Sequence, residues 1–357
     1  MDIEKILSVA VRGGASDIIL KTGAIPRVRF NGDLITLANA PIVDEIIMQQ
    51  WVDQLVPPHL STQLGSLIDL DFSYQSATGH RFRVNLFRQK QSYAIVLRLI
   101  SNHIRSIAEL QLPPVIEELT QEKRGLILVT GATGSGKTTT LAAMLEKINV
   151  TRPAHIITIE DPVEFIFQEK KATINQREIG LDTPSFEAAL RSALRQNPDI
   201  ILVGELRDKE TTETALQAAE TGHLVFSTLH TLDAAESISR LLSYFPPHQH
   251  ETTRAMLGQV LRAVLSQRLI GRADKKGMVA AVEVMLNKEL VREQILLTKD
   301  FKTLKDAIKK GHETYGMQTF DQALLSLYRH GVITREEAIA QASNPSDVEL
   351  AIRGVGR

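Results

Sequence analysis

The apolar run Gly125-Leu126-Ile127-Leu128-Val129-Thr130 passes directly into Gly131-Ala132-Thr133-Gly134-Ser135-Gly136-Lys137-Thr138, and Thr139-Thr140-Leu141-Ala142-Ala143-Met144-Leu145 continues as a helical stretch. A short buried strand, a glycine-rich turn and a helix in immediate succession constrain the chain more than any other feature. The turn matches G-x-x-x-x-G-K-[ST] at every specified position. Its glycines let the backbone close around phosphate oxygens. The N–H groups at the helix start converge on one point, where the helix dipole favours an anion. Gly131, Thr133, Gly134, Ser135, Gly136, Lys137, Thr138 and Thr139 are therefore the candidate nucleotide contacts. In such a loop the lysine reaches the β- and γ-phosphates, and the hydroxyl after it is a Mg²⁺ ligand. Those roles fall to Lys137 and Thr138.

The rhythm around this loop extends the reading. From Leu119 short apolar strands alternate with helical stretches, with strands expected at Leu126–Thr130, His155–Glu160, Ile200–Gly204, His223–Leu229 and Met278–Met285. That alternation predicts an α/β fold with a mostly parallel sheet and helices on both faces. Before it, Ile3, Ile6, Leu7 and Ala10 share one helical face, and Asp44–Val56 reads as a second helix stopped by Pro57-Pro58. Strands are expected at 17–20, 26–35, 68–74, 80–88 and 92–100, with Asn31-Gly32 as a hairpin turn. These elements form an α+β unit on an antiparallel sheet. After Asn287 the pattern is helical to the end. The expected organisation is an N-terminal domain at 1–110, a linker at 111–118 around Leu112-Pro113-Pro114, an α/β core at 119–287 and a helical region at 288–357.

Composition removes several classes. The chain of 357 residues has no cysteine, which excludes disulfides and thiolate zinc sites. The net charge of −1 gives no global attraction to nucleic acid or anionic lipid. The start Met1-Asp2-Ile3-Glu4-Lys5-Ile6 lacks the basic-then-apolar form of a signal peptide, and no apolar run approaches the ~18 residues of a membrane span. A cytoplasmic protein is expected, reaching a membrane only through a partner.

Three further stretches carry chemistry. Asp199-Ile200-Ile201-Leu202-Val203-Gly204-Glu205 is an apolar strand ending in an acid, which suits an acid beside the phosphate loop. The usual pair is Asp–Glu, but Gly204 stands in the Asp position. Glu205 is thus the candidate for orienting the attacking water and for contacting Mg²⁺, with helix capping as the plainer alternative. Ile159-Glu160-Asp161-Pro162-Val163-Glu164 also ends a strand, so Glu160 and Glu164 are candidates for Mg²⁺–water contacts; on spacing alone this is as readily a turn. In Gly222-His223-Leu224-Val225-Phe226-Ser227-Thr228-Leu229-His230, His230 lies at the strand end where ligands gather. It would sense the γ-phosphate or couple it to a subunit interface; a structural hydrogen bond is the simpler role. Arg81 and Arg83 share a face of one N-terminal strand by period two, Arg88 faces the other way, and Arg98 lies on the next strand. Arg83 and Arg98 are the candidates for charge supplied to a transferring phosphoryl group across a subunit boundary, against the alternative of a solvated sheet face.

Taken together, the phosphate loop, I-E-D-P-V-E at 159–164, I-N-Q-R-E-I-G at 174–180, L-R-Q-N-P-D at 194–199, L-V-G-E-L-R-D at 202–208 and A-E-T-G-H-L-V-F-S-T-L-H-T at 219–231 occur in one order. In this the chain resembles the type II/type IV secretion ATPases, and within them the pilus retraction ATPases of the PilT/PilU family. The resemblance covers nearly the whole chain. It implies a PAS-like N-terminal domain, a RecA-like ATPase domain and a homohexameric ring that hydrolyses ATP with Mg²⁺ to drive pilus retraction and twitching motility. It implies ATP between the two domains, arginines arriving from neighbouring N-terminal domains, and a platform protein of the inner membrane as partner. It assigns Glu205 as catalytic glutamate, Glu164 to the Asp box and His230 to the His box, and it matches Arg83 and Arg98 to the family's N-terminal arginines. The absence of a four-cysteine zinc module separates the chain from pilus-assembly and type II secretion ATPases, the alternative within the superfamily. Glu289–Leu296 departs from the A-I-R-N-L-I-R-E helix of the PilT type. The tail through Tyr328, together with Ser266-Gln267-Arg268-Leu269, resembles the PilU type more, which leaves two alternatives, a ring that retracts pili alone and one that assists a paralogous retraction ring. A nucleic-acid translocase is the competing reading from another class, and the near-neutral charge opposes it.

Overall fold

The computed structural model describes residues 2–30, 33–38, 40–62, 64, 69–100, 103–297 and 303–354. The expected Asn31-Gly32 turn lies outside the described residues. By its internal contacts the chain divides into two units, Met1–His103 with Glu164–Ile166, and Ile104–Val163 with Phe167–Arg357.

The first unit is built from α1 (Ile3–Arg12), β1 (Asp17–Lys21), β2 (Arg27–Phe30), β3 (Asp33–Thr36), α2 (Glu45–Leu55), α3 (Pro58–Ser61), β4 (Asp69–Gln75), β5 (Arg81–Gln89) and β6 (Ser92–Leu99). Both long helices start where an acid caps them: the Asp2 side chain accepts from Glu4 N–H at 3.0 Å, and Asp44 from Ile47 N–H at 2.7 Å. The strands form one antiparallel sheet in the order β3-β2-β1-β6-β5-β4. One face carries Ile18, Leu20, Val84, Leu86, Ile95 and Leu97, buried together with Ile3 and Leu7 of α1 and Met48 and Trp51 of α2. This is the α+β unit expected from the sequence.

The second unit carries α4 (Val115–Leu119), β7 (Gly125–Thr130), α5 (Lys137–Thr151), β8 (His155–Glu160), β9 (Thr173–Glu178), α6 (Phe186–Ala193), β10 (Ile200–Val203), α7 (Lys209–Glu220), β11 (Leu224–Leu229), α8 (Ala234–Ser243), α9 (His250–Val260), β12 (Leu261–Gly271) and β13 (Met278–Leu286). The helices α10 (Glu289–Leu297), α11 (Leu304–Lys310), α12 (His312–Tyr315), α13 (Phe320–Arg329), α14 (Arg335–Ala340) and α15 (Pro345–Ile352) follow. Its sheet runs β13-β12-β7-β11-β10-β8-β9, parallel except for the β12–β13 hairpin. Through α5 the chain crosses from β7 outward to β8, whereas through α6 and α7 it returns towards β11. Right-handed crossovers in opposite directions place α5 on one face and α6 and α7 on the other. Leu126, Ile127, Leu128 and Val129 accordingly have no exposed surface on either side of β7. Two strands were absent from the sequence expectation, β9 and β12, although the sheet is mostly parallel as expected. The β12–β13 hairpin also holds a small second core, where Ile270, Val279 and Ala281 meet Phe320 and Leu324 of α13. Thr319 and Gln322 form a capping box that starts α13.

Candidate functional site

The phosphate loop leaves the C-terminal end of β7, in the middle of the sheet, beside the ends of β11 and β12. Gly131, Gly134 and Gly136 have φ of 141°, 79° and 90°. At Gly131 the requirement is absolute: a Cβ would stand 2.5 Å from the Gln267 carbonyl oxygen and 2.5 Å from Ser135 Oγ. Gly136 is the N-cap of α5 and offers no side-chain hydrogen bond, so the first N–H groups of the helix have no capping side chain. Lys137 is buried, and its Nζ donates to the carbonyls of Gly131 at 2.8 Å and Ala132 at 3.1 Å, which folds the ammonium group over the loop. Ser135 Oγ is buried without a hydrogen-bond partner. An orphaned hydroxyl, an uncapped helix start and a loop that only glycine can form together fit a bound phosphate chain. Thr138 and Thr139 lie in the first turn of α5, partly exposed.

Next to the loop, a cavity of about 290 Å³ is lined by Gly136, Thr139, Thr140, Gln267, Leu269 and Arg272. Its floor is held by Gln267 Nε2, which donates to Thr140 Oγ1 at 2.8 Å.

The acids and histidine come from the ends of neighbouring strands. Glu205 follows β10 by two residues, and His230 follows β11 by one. His230 Nε2 lies 3.3 Å from Glu205 Oε1, and His230 Nδ1 lies 3.5 Å from Thr133 Oγ1 in the phosphate loop. Arg207 Nε donates to Glu205 Oε2 at 2.7 Å, and its other end is 3.8 Å from Asp161 Oδ2, just past β8. A line of contacts thus runs Thr133–His230–Glu205–Arg207–Asp161 across the ends of four strands. The hydrogen bond to Glu205, together with the charges of Glu205 and Asp161, raises the Arg207 pKa above its ordinary value against the opposing effect of burial.

Gly204 has a steric reason in this line. Its N–H donates to the Ile159 carbonyl at 2.8 Å, and a Cβ there would stand 3.1 Å from that same oxygen and 3.3 Å from Phe186 Cε1. β10 lies too close to β8 at this point for a side chain to fit without displacement.

Among the other sequence candidates, Glu160 is buried at the end of β8, where Thr158 Oγ1 donates to it at 2.6 Å and Gln176 Nε2 at 3.3 Å. Glu164 is exposed and stands outside the line of contacts that holds Glu205. Arg83 and Arg98 are directly opposite each other on β5 and β6, in a row that continues through Asp17 to Arg29. Arg98 Nε donates to Asp17 at 2.8 Å, and Arg83 lies 3.9 Å from Asp71. Burial alone would raise the Asp17 pKa, but hydrogen bonds from Arg98 and Ser16 and the charges of Arg98 and Arg29 hold it below the ordinary carboxylate range. Arg88 faces the other way and stacks on Tyr93, with its guanidinium carbon 5.0 Å from the ring centre. Arg207 and Asp161 are the site residues that sequence reasoning left without a role. The only signal for Arg207 was its place two residues after Glu205.

Among the described residues there is no cluster of three His, Cys, Asp or Glu side chains able to hold a metal ion. Mg²⁺ at a nucleotide takes few protein ligands and completes its shell with phosphate oxygens and water. Thr138 and Glu205 are the side chains of suitable type at the loop and the neighbouring strand end.

The family model for type II/IV secretion system proteins matches residues 1–299. The type IV pilus retractation ATPase PilT of Pseudomonas aeruginosa is 42% identical over 347 residues, which are 97% of this chain and 100% of that protein. The type IV pilus ATPase PilU of the same organism is 38% identical over 353 residues, 99% of this chain and 92% of that protein. The crystal structure of the pilus retraction motor PilT with bound ADP superposes with a TM-score of 0.88 at 42% identity, covering 98% of this chain and 99% of that one. The ATPase DotB of Legionella pneumophila superposes with a TM-score of 0.80 at 29% identity, covering 99% and 96%. This chain belongs to the type II/IV secretion system protein family, on the branch that holds the type IV pilus retraction ATPases.

Proposed function

We propose that this chain is a motor ATPase that couples ATP hydrolysis to retraction of a type IV pilus. The observation that carries the site assignment is the contact line from Thr133 through His230 to Glu205. It ties the loop that would hold the phosphates to the acid that would orient water. In this reading Gly131–Gly136 and the start of α5 cradle the phosphates, Lys137 turns from the loop carbonyls to the β- and γ-phosphates, and the cavity beside Thr139 receives the nucleoside. Thr138 and Glu205 would hold Mg²⁺, which neutralises phosphate charge when bound. His230, within 3.5 Å of Thr133 and 3.3 Å of Glu205, reports the state of the loop to the acid. Glu164, Arg83 and Arg98 complete the site in a homohexameric ring, the arginines acting on a neighbouring subunit's nucleotide.

No helix among the described residues is long and apolar enough to cross a membrane. The ring works in the cytoplasm and meets the inner membrane through the pilus platform protein. Because the chain is 42% identical to PilT and 38% identical to PilU, a second arrangement is a ring that assists a paralogous retraction ring.

The test is Lys137→Ala and Glu205→Gln in the full chain. Both should lose ATP turnover by about 10²-fold or more, with Glu205→Gln still binding nucleotide. In the organism, a strain lacking this chain should keep its pili and lose their retraction, and the Glu205→Gln chain should not restore it. Full turnover in Glu205→Gln would remove that residue from the site. A strain that lost its pili altogether would argue for an assembly motor.

A further inference from the structure

Both oxygens of the Glu205 carboxylate are engaged in this structure. Oε2 accepts from Arg207 Nε at 2.7 Å and Oε1 faces His230 Nε2 at 3.3 Å. An ion pair with a guanidinium lowers the basicity of the carboxylate and fixes its orientation. Held there, it is a poorer acceptor for the proton of a water at the phosphate, and turning towards that water costs the Arg207 bond. Glu205 is mostly buried, with 18% of its side chain exposed, whereas Arg207 is 57% exposed and sits on a long, rotatable stem. The group free to leave is the arginine. It has somewhere to go, because Asp161 Oδ2 is already within 3.8 Å of its NH1, and that acid is itself 44% exposed.

We propose that Arg207 is a positioning residue that parks Glu205 and releases it by exchanging partners, from Glu205 to Asp161, when nucleotide fills the loop. The parked carboxylate suppresses turnover in a subunit whose loop is not correctly occupied. Thr133 and His230 link the loop to Oε1, so a change at the loop bears on one side of the carboxylate while Arg207 holds the other. Asp161 gives the displaced guanidinium a counter-charge, so that release costs no isolated cation. The proposal rests on Glu205 as the water-orienting acid, and Glu205→Gln tests that premise separately.

Four variants and one structure test it. Arg207→Ala removes the clamp and should raise kcat several-fold with KM and the affinity for a non-hydrolysable ATP analogue within about twofold of the parent. Asp161→Asn removes the acceptor and should lower kcat several-fold, again with analogue affinity unchanged. The double variant should behave as Arg207→Ala alone, because an acceptor has no use without the clamp. Arg207→Lys, which keeps the charge but not the fork, should fall between the parent and Arg207→Ala. A crystal structure of the full chain with the analogue and Mg²⁺ should find the Arg207 guanidinium on Asp161 and off Glu205. Loss of turnover in Arg207→Ala with unchanged unfolding temperature and analogue affinity would overturn the proposal, as would Asp161→Asn lowering kcat equally in the Arg207→Ala background. An analogue-bound structure with Arg207 still on Glu205 would overturn it too. Should Arg207→Ala fail to fold, Arg207→Gln carries the same expectations.

Discussion

At the scale of single residues, the site is set by where side chains are impossible as much as by where they are. Gly131 shows this most sharply, since its φ of 141° and its 2.5 Å approach to the Gln267 carbonyl leave no room for a Cβ. Gly131→Ala should therefore destabilise the chain by about 2–4 kcal/mol, from backbone strain and overpacking together, and should abolish nucleotide binding. Thermal unfolding and titration with a fluorescent nucleotide check both parts; a variant that melts with the parent and binds normally would mean that the loop relaxes without cost. This glycine was legible in the sequence because its role is a pattern in the chain. The Arg207–Glu205 clamp was not, because a side chain's choice among acids is decided by which strand ends lie side by side. Gly204 was read as a broken acid pair, and only the 3.1 Å gap to the Ile159 carbonyl gives the reason.

At the scale of elements, the strands that escaped the sequence reading did so for physical reasons. β12 starts at Leu261 immediately after α9 ends at Val260, and Leu261-Arg262-Ala263-Val264-Leu265 suits a helix as well as a strand. It becomes a strand because β7 and β13 flank it, which is tertiary information. β9 is a polar edge strand with half-exposed residues, so neither apolar content nor period marks it. The pairing of Arg83 with Arg98 depends on the turn between β5 and β6, where Lys90 and Gln91 take φ of 47° and 66° without the usual Asn-Gly. Across elements, Glu283 of β13 accepts a hydrogen bond from the Ala234 N–H at the start of α8, at 2.9 Å. Burial, helped by the charge of Asp233, pushes its pKa up to about 7 against the Ala234 hydrogen bond and the charges of Lys305 and Arg268. The folded chain holds this proton up to about pH 7 and the unfolded chain only to about 4.5, so stability falls as pH rises through that window. Glu283→Gln keeps the acceptor and removes the buried charge. It should gain on the order of 1–3 kcal/mol over the parent at pH 8 and lose that advantage below about pH 4.5. Unfolding temperatures at both pH values decide; a Glu283→Gln that melts lower than the parent at pH 8 would show that Lys305 and Arg268 do more for the charged form than burial does against it.

At the scale of the whole molecule, the question is whose nucleotide the arginines of the first unit serve. Arg98 cannot answer it cleanly. It holds the buried Asp17 at 2.8 Å, so its removal leaves that carboxylate short of a partner and weakens the sheet. Arg83 is the better probe, because it is half exposed and its ion pair with Asp71 is long at 3.9 Å, which is worth little to stability. Two arginines directly opposite on adjacent strands repel each other, a cost that an anion brought to them would relieve. Arg83→Ala should therefore leave the unfolding temperature unchanged and lower kcat strongly. Lys137→Ala should be inactive for a different reason, as it lacks the loop cation but keeps Arg83. If the arginine acts across a subunit boundary, mixing the two inactive chains and letting rings reassemble creates composite sites, with Lys137 from one subunit and Arg83 from its neighbour. In a random hexamer from equal amounts, about a quarter of the sites would be complete, and turnover should return to that order. If Arg83 serves its own subunit, every site in the mixture lacks one of the two groups, and the mixed rings should stay as inactive as their parents.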